Sequence, residues 1–149
     1  MKKSNNGGFS LVEIVIVVAI MAVLSAIAIT AFLTLVERAK LRADDTQAAN
    51  IKRTLSAYII ESNDVKVQNL LLEGSDGAND VEKILIGLQK QIDGKYGPYL
   101  QSATDPSVGV KDFSPKGRNR GGWLITIDEE TMAVSVEPTA SSDELKFIP

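Results

Sequence analysis

The stretch GGFSLVE (residues 7–13) and the apolar run after it decide the fold. From Ile14 to Val36 the chain has no charged residue, and its only polar side chains are Ser25, Thr30 and Thr34. These 23 residues exceed the roughly 20 that cross a bilayer as a helix. The sequence therefore predicts a membrane helix near the N-terminus, preceded by a short, basic and polar segment.

Glu13 decides what kind of membrane segment this is. A secretory signal peptide would be cut after Ala26-Ile27-Ala28, and a simple anchor would stay uncut. Neither gains from a carboxylate that costs on the order of 2.5–3.5 kcal/mol in the bilayer centre and less near its edge. If the chain is cut between Gly8 and Phe9, the new amine lies one turn before Glu13. The same amine on an adjacent, axially shifted copy can then reach the carboxylate.

The N-terminal pattern is similar to that of a known class of proteins. Lys2-Lys3, then Gly7-Gly8 followed by Phe9-Ser10-Leu11-Val12-Glu13 and the apolar helix, resembles the class III signal of type IV prepilins and pseudopilins. The resemblance implies cleavage after Gly8 by a prepilin peptidase, N-methylation of Phe9, and pairing of Glu13 with a neighbouring subunit's N-terminus. Many members of this class carry a proline in the middle of the helix, where this chain has Thr30.

The helix should extend well beyond the apolar run, because neither proline nor glycine occurs between Phe9 and Glu61. Small side chains recur every fourth residue, at Ala22, Ala26, Thr30 and Thr34. They form a ridge for close helix packing, or they reflect only the ordinary composition of a membrane helix. Further along, apolar residues at helical spacing predict one buried face: Ala48, Ile51, Leu55, Tyr58 and Ile59.

The C-terminal half combines a second helix with strands. We expect Asp80 to cap a helix that runs to Ile92 and ends at Gly94 and Gly97-Pro98. Alternation from Trp123 to Ile127 and from Met132 to Val136, around a turn at 128–131, predicts a hairpin. A third strand is expected at Val108, Val110 and Phe113.

These elements predict an α+β fold in which a long N-terminal helix packs on a small C-terminal antiparallel sheet, similar to the pilin fold. The expected organisation is a leader peptide at residues 1–8, a transmembrane and filament-core helix at 9–36, and a globular domain at 37–149. Within that domain we expect helix at 37–61, a connecting region at 62–107 and the sheet at about 108–137.

Composition narrows the chemistry. The 149-residue chain contains no cysteine and no histidine and has a formal charge of −3. This composition excludes thiol catalysis, histidine acid–base chemistry and the usual zinc ligands. We expect no cofactor and no metal, and we interpret the acidic loop 76–80 as solvated capping rather than a calcium site.

One basic cluster could carry a contact: Lys111, Lys116, Arg118 and Arg120. It could bind acidic surface on the next subunit, nucleic acid or a host surface, or it could be a solvated loop. The acidic overall charge does not favour nucleic acid. Asp128–Glu130 and Asp143–Glu144 are conceivable acidic partners, and the sequence does not pair them.

The expected function is structural and non-enzymatic. The resemblance implies a precursor in the cytoplasmic membrane, N-terminus inside, which is cleaved, methylated and built by an assembly platform and its ATPase. The product would be an extracellular type IV pilus, a helical homopolymer (fimbria) for motility, adhesion or surface attachment. The alternatives are a pseudopilin of a type II secretion or DNA-uptake machine, and a single-pass membrane-anchored binding domain that keeps residues 1–8.

Overall fold

The structure, a computed structural model, describes residues 9–101, 105 and 109–149. The chain forms two compact units, Met1–Arg38 and Ala39–Pro149. In chain order the elements are α1 (Leu11–Ser62), α2 (Gln68–Glu73), α3 (Asp80–Gly87), the 3₁₀ helix η1 (Val110–Phe113), β1 (Gly122–Asp128), β2 (Val134–Thr139) and β3 (Glu144–Ile148).

Helix α1 is continuous over 52 residues, which confirms the long helix predicted from the absence of proline and glycine. In the second unit it contributes to the core the apolar face that its spacing predicts. The buried side chains on this face are Ala48, Ile51, Leu55, Tyr58 and Ile59. They share one core with α2, α3, η1 and the sheet. The α+β class is therefore confirmed.

The three strands form one sheet in the order β2-β1-β3. β1 and β2 are antiparallel, with Ile125 opposite Val136 and Ile127 opposite Val134, and all four side chains are buried. The predicted hairpin is therefore confirmed. Met132 does not belong to the returning strand, because its φ of 58° places it in the turn.

The prediction for the third strand was wrong. Val110–Phe113 forms η1, and Val108 lies outside the described residues. Both ends of η1 are buried, since a 3₁₀ helix brings residues i and i+3 to the same side. The third strand is β3, which pairs with β1 in parallel, so the sheet is mixed rather than antiparallel.

The second predicted helix is shorter than expected and is capped one residue earlier. The Asn79 side chain accepts the amide hydrogen bond of Glu82 at 2.9 Å, so Asn79 rather than Asp80 is the N-cap. The helix ends at Gly87 because the Leu88 carbonyl accepts from Tyr99 and Leu100, while the amide of Ile92 donates to Tyr96. The short helix α2 lies within the region predicted only as a connection.

The start of β1 depends on two glycines and an indole. A Cβ on Gly122 would lie 2.4 Å from the Asp143 amide nitrogen, so only glycine fits here without movement of the backbone. Trp123 is 1% exposed, and its indole nitrogen donates to the Phe113 carbonyl at 2.6 Å. The Trp123 amide donates to the Asp143 carboxylate at 2.7 Å. Gly-Gly-Trp thus joins the sheet to the segments before β1 and after β2.

Candidate functional site

The described part of the chain begins at the N-terminal end of α1. Phe9 is exposed, Ser10 precedes the first helical residue, and Glu13 lies in the first turn. The Ser10 amide donates to the Glu13 carboxylate at 3.4 Å, which is one half of a capping box. A carboxylate in this position also interacts favourably with the helix dipole. The Ser-x-x-Glu spacing at residues 10–13 is the sequence signal for this cap, and the sequence analysis did not use it.

Among the described residues, the apolar part of α1 is largely exposed. Every large apolar side chain from Leu11 to Leu35 is at least half exposed. Of the part of the chain described, α1 is the one helix long and apolar enough to cross a membrane, with a mean hydropathy of 2.9 in its most apolar window. Length and composition therefore fit a membrane-anchored protein.

The polar side chains inside this apolar run are satisfied by the helix itself. Ser25 donates to the Met21 carbonyl at 2.7 Å, Thr30 donates to the Ile27 carbonyl at 2.9 Å, and Thr34 donates to the Thr30 carbonyl at 3.1 Å. No donor from this set needs a partner outside the helix, which lowers the cost of placing it in hydrocarbon.

The predicted ridge of small residues lies on the exposed, apolar part of α1. Its members, Ala22, Ala26, Thr30 and Thr34, are all exposed. The helix is continuous at Thr30. The interpretation of this ridge as a packing surface remains a prediction.

In the second unit, Asp44 is the principal polar anchor. Its side chain is 4% exposed and accepts the amides of Lys116 and Gly117, each at 2.8 Å. Arg120 lies 3.4 Å from Asp44 and 2.9 Å from Asp45, and it also donates to the Leu41 carbonyl. Two backbone bonds and an arginine compensate for burying this carboxylate.

This anchor divides the predicted basic cluster. Arg120 is half-buried and paired within the chain, so it forms part of the anchor. The other three residues, Lys111, Lys116 and Arg118, are exposed. The anchor holds the backbone that carries them against α1. Asp44 and Arg120 are 76 residues apart, and no local sequence pattern links residues at that separation.

The two acidic segments also differ from one another. Asp143 is internal to the fold, since it accepts from the Trp123 amide and from the Asn79 side chain. In the β1–β2 turn, Asp128 accepts the amides of Glu130 and Thr131, and these hydrogen bonds hold the pKa of Asp128 below its usual range. In the turn, Glu130 is exposed and Asp128 and Glu129 are half-buried, whereas in the other segment only Glu144 is exposed.

The acidic loop before α3 is used for local structure. Lys90 pairs with Asp76 at 3.0 Å, and Asn79 and Glu82 cap the helix. Within residues 9–101, 105 and 109–149, no group of three or more acidic, histidine or cysteine residues is placed to hold a metal ion.

Comparison with known families identifies the N-terminal region. Residues 3–29 match the prokaryotic N-terminal methylation motif. No solved structure matches the chain significantly. The match spans the expected cleavage position, including Gly7 and Gly8, which lie outside the described residues, and most of the exposed apolar helix. The motif supports a pilin-like or pseudopilin protein. The chain therefore carries the class III prepilin signal of type IV pilins and pseudopilins.

Proposed function

We propose that this protein is a subunit of a type IV pilus filament, made as a membrane-anchored precursor and polymerised through α1. The methylation motif at residues 3–29, leading into an apolar helix whose large side chains are at least half exposed, carries this proposal. A helix of this kind is stable in lipid or in the core of a helical polymer, and it is unfavourable in water. Removal of residues 1–8 would give the helix a new N-terminus, Phe9, for its place in the core of the polymer.

Processing is the first step to test. A prepilin peptidase would cut between Gly8 and Phe9 and methylate the Phe9 amine. The measurement is the intact mass and N-terminal sequence of protein recovered from cells. The proposal expects N-methyl-Phe9 as the first residue, with Gly8→Leu leaving the precursor uncut and Asn5→Leu as the matched control. A mature chain beginning at Ile29 instead would identify a secretory signal and overturn the proposal.

Assembly is the second step, and here Glu13 has two separable roles. Its carboxylate accepts a hydrogen bond from the Ser10 amide within the chain. In the polymer it would pair with the Phe9 amine of a neighbouring copy. Glu13→Gln keeps a side chain that can cap the helix but removes the charge, whereas Glu13→Ala removes both. We expect both variants to be inserted and cleaved but not recruited into filaments. Normal filaments from Glu13→Gln would exclude the amine–carboxylate pair.

The architecture of the product follows from the type of contact. One face of α1 would pack against a different face of the next copy, which is a heterologous interface and generates an open filament. Long surface fibres seen by electron microscopy, with a role in motility or adhesion, would support a pilus. Short structures confined to the cell envelope would replace this proposal by a pseudopilin of a secretion or DNA-uptake machine.

A further inference from the structure

The second unit has a basic end. The α1 turn at 40–45 and the loop at 111–120 meet there through the Asp44 anchor. Together they carry six basic and three acidic side chains, a net charge of +3: Lys40, Arg42, Lys111, Lys116, Arg118 and Arg120 against Asp44, Asp45 and Asp112. Since Arg120 is neutralised internally by Asp44 and Asp45, the excess charge lies on the exposed residues.

An acidic end lies at the other extremity of the same unit. The last turn of α1 and the segment after it approach the β1–β2 turn, where Lys66 lies 3.6 Å from Glu129. Residues 61–66 and 128–130 carry five acidic side chains and one basic, a net charge of −4: Glu61, Asp64, Asp128, Glu129 and Glu130 against Lys66. Glu130 is exposed and Glu129 is half-buried.

The positions of the basic end and the acidic end are both set by α1 and β1. The basic loop precedes β1 and contacts α1 near Asp44, whereas the acidic turn follows β1 and contacts the chain just after α1. From Asp45 to Glu61, α1 rises roughly 24 Å at about 1.5 Å per residue. That separation is about three times the ~8 Å Debye length at physiological salt, so the two ends do not neutralise each other within one copy.

We propose that the basic end of one copy contacts the acidic end of the next copy along the filament. This inference rests on the proposed function, because a filament supplies the axially displaced second copy. A contact between unlike ends is heterologous, so it adds copies in one direction without closing a ring. Opposite net charges also disfavour the reversed orientation, in which like ends would meet.

Charge reversal tests the contact in the full-length chain, expressed as the sole copy. The first variant, Lys111→Glu/Lys116→Glu, makes both ends acidic, since it changes the basic end from +3 to −1. The second, Glu61→Lys/Glu129→Lys/Glu130→Lys, makes both ends basic, since it changes the acidic end from −4 to +2. A third variant combines all five substitutions, which exchanges the signs of the two ends (−1 and +2) and restores their complementarity. Lys52→Glu/Arg53→Glu is the matched control, because it changes the net charge as the first variant does, at exposed positions of α1 that lie between the two charged ends.

The expected result is a drop of roughly tenfold in the ratio of polymerised to membrane protein for each of the first two variants, as several exposed pairs become repulsive. The combined variant should recover most of the wild-type ratio, and the control should match wild type. Proteinase K resistance of the second unit checks folding. Wild-type filaments supply a measurement without substitution: high salt, which shortens the Debye length to about 3 Å at 1 M, should release more subunits.

Two results would overturn the inference while leaving the proposed function intact. One is normal filament yield from either reversed variant together with salt-insensitive wild-type filaments. The other is failure of the combined, folded variant to recover, which would assign the basic end to another partner such as anionic lipid headgroups. If wild-type protein forms no polymer at all, the proposed function itself fails.

Discussion

Replacing Trp123 tests whether the second unit is a self-supporting core. The side chain is 1% exposed, and truncating a buried aromatic to alanine costs about 3–5 kcal/mol through lost transfer free energy and the cavity left behind. The indole also donates to the Phe113 carbonyl at 2.6 Å, and leaving a buried carbonyl without a partner costs about 1–3 kcal/mol. We therefore expect Trp123→Ala to lower the free energy of unfolding by about 5 kcal/mol, the upper end of the range for a buried aromatic residue. Trp123→Phe should lower it by about 1–3 kcal/mol.

The assay is urea unfolding of a fragment covering Ala39–Pro149, followed by far-ultraviolet circular dichroism. Fluorescence is unsuitable because Trp123 is the sole tryptophan and is absent from the variants. The fragment should be a soluble monomer that unfolds cooperatively. Leu72→Ala is the control, since Leu72 is 72% exposed and a surface truncation should change the free energy of unfolding by under about 0.5 kcal/mol. Equal effects of Trp123→Ala and Leu72→Ala would refute the assignment of Trp123 to the core.

Three further predictions use the same fragment. Asp44→Ala should lower the free energy of unfolding by about 2 kcal/mol, because it leaves the buried Gly117 amide and the partly buried Lys116 amide without an acceptor. Asp45→Ala, at a side chain 64% exposed, should lower it by less than about 1 kcal/mol in the same urea assay. Burial and a hydrogen bond to Glu61 raise the pKa of Tyr99 to about 12. Neutral Tyr99 therefore stabilises the fold fully below pH 10, the ordinary tyrosine pKa, and this stabilisation is lost as the pH rises through about 12. In an ultraviolet titration, Glu61→Gln should lower the pKa of Tyr99 only in part, because burial is the larger cause; a full return to 10 would contradict this. Gly122→Ala should destabilise the fragment by about 1–3 kcal/mol, since its Cβ would meet backbone; an unchanged urea midpoint would contradict the close approach.

Local signals were sufficient for α1 and for the hairpin. An uninterrupted helical pattern over more than 50 residues leaves no competing structure, and the chain forms the 52-residue helix. The alternation from Trp123 to Ile127 is repeated from Val134 to Val136 across a short polar turn. Contacts between neighbouring segments are specified by adjacent sequence, so the pattern predicted the hairpin, although it placed Met132 in the returning strand rather than before it.

Contacts between distant segments were not accessible in this way. β3 pairs in parallel with β1, and parallel neighbours cannot be joined by a tight turn, so no turn signal marks the pair. Val110 and Phe113 are three residues apart, which fits one side of a 3₁₀ helix better than alternation along a strand. The Asp44 anchor is a further case, because its partners are separated from it by 72 residues or more.

Under the proposed function, Glu13 would satisfy a local requirement in the precursor and an intermolecular one in the filament. A carboxylate in an apolar helix is costly, and from sequence alone that cost was assigned entirely to a partner in the filament. The Ser10 amide and the helix dipole offset part of this cost within the single chain. In the proposed precursor, this compensation would let Glu13 lie at the start of a membrane helix before assembly. The charge remains only partly compensated, since one amide at 3.4 Å is a weak partner for a carboxylate. An amine on a neighbouring subunit would compensate the rest of the Glu13 charge. The cap would therefore lower the free energy of the membrane form and still leave a gain in free energy on polymerisation.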